Sequence, residues 1–205
     1  MLQRIFIGVI FFLFTQKSIA QFDTAAVKQH ILTQSDSMFI TFKNNDWDKF
    51  SNYMHPTILI QAKGKKAFIE LLENQMKELK NLTFTAYKQA GNIQIISTKS
   101  TLQCVVIYGM EMLIDSTVAS GASTTIGESA DNGITWKFIR NNSTTLNQVY
   151  SRFPWLSKSL KIAKEEQYFG VSLPVFLKTY KPAYLETVPN IYGIRRQTTT
   201  RKKIN

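Results

Sequence analysis

Few residues in this 205-residue chain are of types that do chemistry. There are two histidines, His30 and His55, and one cysteine, Cys104. His55 stands immediately before Pro56 and could act as a base or a hydrogen-bond partner; ending a helix is its other reading. His30 lies in a helical pattern with no second histidine four residues on, so metal-ligand spacing is absent. No cofactor motif is present, and no metal or cofactor is expected. Lys63, Lys65 and Lys66 surround Gly64 where a helix is expected to begin. Helix N-termini are already positive, so this cluster would either hold an anion or form a solvated basic rim. The stretch Ser129-x-Asp131-x-Gly133-x-x-Trp136 fits the Asp-box pattern of sialidase propellers. It occurs once, whereas a propeller repeats it in each blade, so it reads as turn chemistry.

These residues need elements to position them. Val27, Ile31, Met38 and Phe42 recur at helical spacing, and Asp23 can cap a helix running to about Lys43. Asp46 can cap a second, short helix, Trp47 to Tyr53. The β-branched run Thr57 to Gln61 predicts a strand. A third helix is expected from about Lys65 to Lys80. The period then becomes two. Strands are expected at 82–89, 93–98, 101–114, 123–129 and 134–140, with Asn132-Gly133 as the hairpin signal between the last two. Leu102, Cys104, Val106, Tyr108, Met110, Met112 and Ile114 share one apolar, buried face, and Gly109 marks a candidate bulge. Cys104 is a small core residue on this reading. Residues 145–158 could be helical around Pro154. Prolines from Pro174 onward predict an extended arm over 161–194, followed by a disordered basic tail over 195–205.

The fold class expected is α+β: helix, helix, strand, helix, then an antiparallel meander curved around the long first helix. This order, with Phe42-Lys-Asn-Asn-Asp46-Trp47-Asp-Lys-Phe50, Tyr53-Met-His55-Pro56, Gly64-Lys-Lys-Ala-Phe68 and Ile126 to Phe138, resembles the nuclear-transport-factor-two-like superfamily, also called cystatin-like or polyketide-cyclase-like. More narrowly it is similar to exported proteins of Bacteroidetes-type bacteria. The resemblance covers roughly residues 23–160 and implies a cone of sheet and helices with an internal cavity, a domain over 21–160. It is nearly silent on activity, because one fold hosts many.

The resemblance implies a pocket from Trp47, Tyr53, His55, Tyr108, Glu128 and Trp136, with Phe50 and Phe138 beside them. Glu128 is the candidate internal carboxylate and Tyr108 its candidate donor, should isomerase-, dehydratase- or cyclase-type chemistry operate. Without a convincing acid–base pair, the expected function is non-catalytic: a small apolar ligand in the cone, or a protein partner or second copy on the sheet.

Compartment follows from the N-terminus. Arg4, the apolar run Ile5 to Phe14, and Ser18-Ile19-Ala20 read as a secretory signal peptide, residues 1–20, cut before Gln21. A periplasmic or secreted protein is expected. The net charge of +11 falls to +9 on cleavage, 23 basic against 14 acidic residues, and five of the cations sit at Arg195, Arg196, Arg201, Lys202 and Lys203. A tail so charged suits weak contact with an anionic surface. Residues 21–194 carry only +4, and this together with export makes nucleic acid a poor partner.

Overall fold

A computed structural model describes residues 23–79, 81–140 and 142–187. The expected signal peptide and basic tail, and the end of the arm from 188, lie outside the described residues.

The first helix, α1 (Thr24–Lys43), begins where Asp23 accepts hydrogen bonds from the amides of Ala25 and Ala26. Val27, Ile31, Ser35 and Met38 form its buried stripe. Asp46 caps α2 (Trp47–Tyr53). Residues 57–61, where a strand was expected, are instead part of helix α3 (Pro56–Gln61). Pro56 stands at the first helical turn, where its missing N–H costs nothing, and the His55 side chain accepts from the Thr57 amide. Cap and proline override the β-branched residues' preference. Helix α4 (Lys65–Glu78) follows Gly64.

The sheet is antiparallel, mixed with helices in an α+β architecture. Strands β1 (Leu82–Gln89), β3 (Leu102–Ile114), β4 (Thr117–Ser129) and β5 (Lys137–Arg140) lie in that order. Strand β2 (Gln94–Ser97) pairs with β3, and β6 (Glu166–Phe169) pairs with β4. β3 and β4 are joined at Asp115-Ser116, both at positive φ, in a tight two-residue turn. β4 thus starts at Thr117, six residues before the expected 123. Its first half, Val118-Ala-Ser-Gly-Ala-Ser, is too small and polar to read as strand in isolation. Small residues are needed there because β6 crosses so closely that a Cβ on Gly121 would collide with the Glu166 carbonyl. The Asn132-Gly133 turn lies in the longer 130–136 loop, not in a two-residue hairpin.

No bulge occurs at Gly109, which is in continuous register with both neighbours; the irregularity is in β1, between Phe84 and Ala86. Gly109 is small for another reason. A Cβ there would lie 2.8 Å from Leu177 Cδ2 and 2.9 Å from Leu173 Cδ1. Those leucines belong to helix α6 (Leu173–Thr179), which packs on the sheet where an extended arm was expected. Pro174 sits in its first turn, which proline tolerates. Helix α5 (Leu146–Arg152) ends before Pro154.

Both faces of the sheet are therefore covered. The inner face packs Leu102, Cys104, Val106, Tyr108 and Phe138 against α1, α2 and α4 through Ile31, Phe50 and Phe68. The outer face packs Val105, Ile126 and Ile139 against Val149, Phe153, Leu160, Ile162 and Leu185. Farther along, Ile107 and Ala122 meet Leu173 and Phe176. The folded unit does not stop at 160 but takes in residues as far as Leu185. Among the described residues, no helix is long and apolar enough to cross a membrane.

Candidate functional site

Two polar clusters lie on opposite faces of the sheet. Register decides the division: Glu128 pairs with Gln103, whereas Ser123 pairs with Tyr108. Side chains alternate along a strand, so Glu128 and Gln103 point outward while Tyr108 and Ser123 point inward. The expected partnership of Glu128 with Tyr108 is thereby overturned.

Glu128 meets His55 instead. His55 Nε2 lies 2.9 Å from Glu128 Oε2, with both side chains largely buried. Thr101 Oγ1 and Gln103 Nε2 donate to Glu128 Oε1 at 2.9 and 3.1 Å. Burial raises the Glu128 pKa, but hydrogen bonds from His55, Gln103 and Thr101 outweigh it and hold the carboxyl below its ordinary value. The Thr57 amide donates to His55 Nδ1 at 3.2 Å, which assigns the proton to Nε2 and directs it at Glu128. Both ring nitrogens are then engaged, and no lone pair is left for a substrate proton. Trp155 stacks on the ring, centroids 5.1 Å apart. Gln103 closes the cluster by accepting from the Ser157 amide at 2.8 Å. The assembly ties α3, two strands and the 155–157 loop together, and it is a clasp.

The inner cluster is different. Phe39 and Tyr87 stack at 3.6 Å, and Tyr87 and Tyr108 at 4.2 Å, in a ladder of three rings. The Tyr108 hydroxyl hydrogen-bonds Ser35, the one polar residue in the buried stripe of α1. Burial pushes Tyr108 up to about 12, offset in part by hydrogen bonds with Ser35 and Tyr87. Burial likewise raises Tyr87. Asp36, beside Ser35, has its carboxyl raised by partial burial, with hydrogen bonding from Tyr108 opposing. Next to this ladder is a chamber of about 60 Å³ lined by Met38, Phe39, Phe42, Phe50, Met54, Tyr87, Tyr108 and Met110, with Ser123, Thr125 and Arg140 as its polar wall. Asp36 lines a separate surface groove between α1 and β1.

Of the other expected pocket residues, Trp47 and Trp136 are buried structural side chains. Trp47 packs edge-on to Phe42 and Phe50. Trp136 Nε1 donates to the Gly133 carbonyl at 3.0 Å. Tyr53 is half-buried against the inner core. The Ser129–Trp136 loop is turn chemistry throughout. Asp131 accepts from the Thr135 amide at 2.8 Å and from its hydroxyl at 2.6 Å. These bonds, with the Ser129 hydroxyl, hold the Asp131 carboxyl at about 2. His30 is structural as well, with Nδ1 3.0 Å from the Gly133 carbonyl.

The three lysines do not converge. Lys65 pairs with Asp48 at 2.9 Å and donates to Asn52, and Lys66 faces Glu70 at 4.0 Å. Carboxylates of the chain already answer two of the three charges, which fits a solvated rim rather than an anion site. Among the described residues, no group of three or more His, Cys, Asp or Glu side chains could hold a metal ion.

Sequence reasoning passed over Ser35, Asp36, Tyr87, Ser123 and Arg140. One signal was present: Ser35 interrupts an otherwise apolar helical stripe. No family model matches the sequence, and no curated protein matches it either.

Proposed function

We propose that this protein is a non-catalytic extracytoplasmic binding module of nuclear-transport-factor-two-like, cone-shaped architecture, which takes a small apolar ligand in the chamber between α1 and the inner face of the sheet. The chamber itself is the observation that supports this: an apolar space edged by methionine, phenylalanine and tyrosine, with three polar side chains along one wall. Ligand sites are mostly apolar with a few placed polar groups, and methionines adapt to what they hold. The broad outer face of the sheet offers a partner or second copy little, because the chain's own residues 146–185 cover it. Export rests on Arg4, the apolar run and Ser18-Ile19-Ala20, and N-terminal sequencing should read Gln21-Phe22-Asp23.

Methyl NMR tests the binding reading. Small apolar probes should perturb the methyl signals of Met38, Met54 and Met110 saturably and leave Met76, outside the chamber, unmoved. Uniform or absent perturbation would sink it. A second reading, isomerase-, dehydratase- or cyclase-type chemistry, rests on Asp36, exposed in the neighbouring groove, whose carboxyl hydrogen-bonds Tyr108 at the chamber. It requires Asp36→Asn to abolish turnover while leaving probe binding intact.

A further inference from the structure

The polar wall of the chamber identifies the class of ligand, an inference that rests on the binding reading above. Strand β6 pairs with β4 at residues 119–122, and β5 pairs with it at 125–128. Between them, at Ser123 and Thr124, the β4 edge has no strand partner. Ser123, Thr125 and Arg140 line the chamber at this gap. Arg140 is largely exposed there, so a charge at this position remains in contact with water. The chain has placed one of its own carboxylates at the same spot. Glu165 Oε1 accepts from Ser123 Oγ at 2.9 Å and stands 3.8 Å from Arg140 Nε. A carboxylate, a hydroxyl donor and a guanidinium are therefore already assembled at the edge of an apolar space. The Arg140 contact is long and the Glu165 side chain is 38% exposed, so the pairing is weak and displaceable.

The geometry points to a short-chain monocarboxylate as the ligand: its hydrocarbon end enters the chamber, and its carboxylate replaces Glu165 on Ser123 and Arg140. Size sets the chain length. A cavity of about 150 Å³ takes up benzene, with six carbons, so one of about 60 Å³ admits on the order of two to three carbons without rearrangement. Arginine is suited to the headgroup because its planar fork matches a carboxylate. Glu165 then acts as an internal stopper that every ligand must outcompete.

The test is a titration of the protein with acetate, propionate, butyrate and octanoate, and with 1-butanol as the uncharged comparison, read by the methyl signals of Met38, Met54 and Met110. Affinity should rise roughly fourfold per methylene from acetate to butyrate and flatten beyond it. Butyrate should bind at least tenfold tighter than butanol. R140Q should remove that difference, R140K should restore most of it, and E165Q should tighten butyrate several-fold without changing butanol. If butyrate and butanol bind equally, the headgroup assignment is overturned and the chamber stands. If neither moves the methionine signals, the binding reading itself falls and takes this inference with it.

Discussion

The two faces of the sheet are built from the same two strands but solve different problems. On the inner face, aromatic rings and methionines pack against α1 and leave a chamber beside the Phe39–Tyr87–Tyr108 ladder. On the outer face, the polar groups of His55, Glu128, Gln103 and Thr101 satisfy one another, and residues 146–185 are laid over the rest. A His–Glu pair invites a catalytic reading, yet here both imidazole nitrogens are engaged. The less conspicuous face, with a serine, a tyrosine and an arginine, has the space. Chemically suggestive residues thus mark a site only where atoms around them leave room for another molecule.

The sharpest way to break this comparison is to remove the outer layer. Deleting residues from 161 onward would uncover Ile107, Ala122 and Ile126 and discard Ile162, Leu173, Phe176 and Leu185. At about 1.5–3 kcal/mol per buried side chain, these four represent about 6–12 kcal/mol, as much as a whole domain's net stability. No cooperative melt is expected. A truncated chain that still melts cooperatively would show that the inner layer folds alone. Deleting 195–205, by contrast, should leave the melting temperature unchanged and weaken binding to anionic vesicles at low salt.

Single substitutions grade the two faces. Phe153→Ala, at a ring 1% exposed in the outer core, should cost about 3–5 kcal/mol in denaturant melts. Phe39→Ala, on the half-buried ladder, should cost clearly less; equal losses would erase the distinction. Glu128→Gln removes the charge that three donors address and should cost about 1–3 kcal/mol. If that variant lost ligand binding while remaining equally stable, the clasp would have to be redrawn as a site.

Gly133→Ala tests the loop between β4 and β5. Gly133 sits at φ +89°, and a Cβ there would lie 2.8 Å from Val27 Cγ2, so a loss of about 1–2 kcal/mol is expected. The smallest effect concerns acid. Hydrogen bonds from Thr135 hold the folded Asp131 carboxyl at about 2, below its ordinary 3.8. Its contribution is present above pH about 4 and fades as the pH falls towards 2. Asp131→Asn should flatten the acid limb of the stability curve over that window; an unaltered limb would remove Asp131 from the turn's support.

Much was legible in the sequence because it depends on neighbours along the chain. The caps Asp23 and Asp46 and the 3.6-residue stripe define α1 and α2 by contacts within a few residues. Alternation defines β1. Serine, aspartate, glycine and tryptophan at fixed offsets define the 130–136 loop. Where local signals conflicted, as at Thr57 to Gln61, a cap and a proline outweighed three β-branched residues. An unread local signal was also present: Cys104-Val-Val-Ile107 is apolar at consecutive positions, the mark of a strand buried on both faces.

Tertiary structure alone decided the rest. Whether Glu128 faces Tyr108 or His55 depends on the register of β4 against β3, and a shift of one residue would exchange the faces. Glu111 offers the Leu173 amide an acceptor at 2.7 Å, capping α6 from 62 residues away, which no local pattern encodes. The chamber is likewise a property of packing between α1 and the sheet. A sequence specifies which residues prefer burial and which can bend the chain; the space left between them exists only once distant segments have closed on one another.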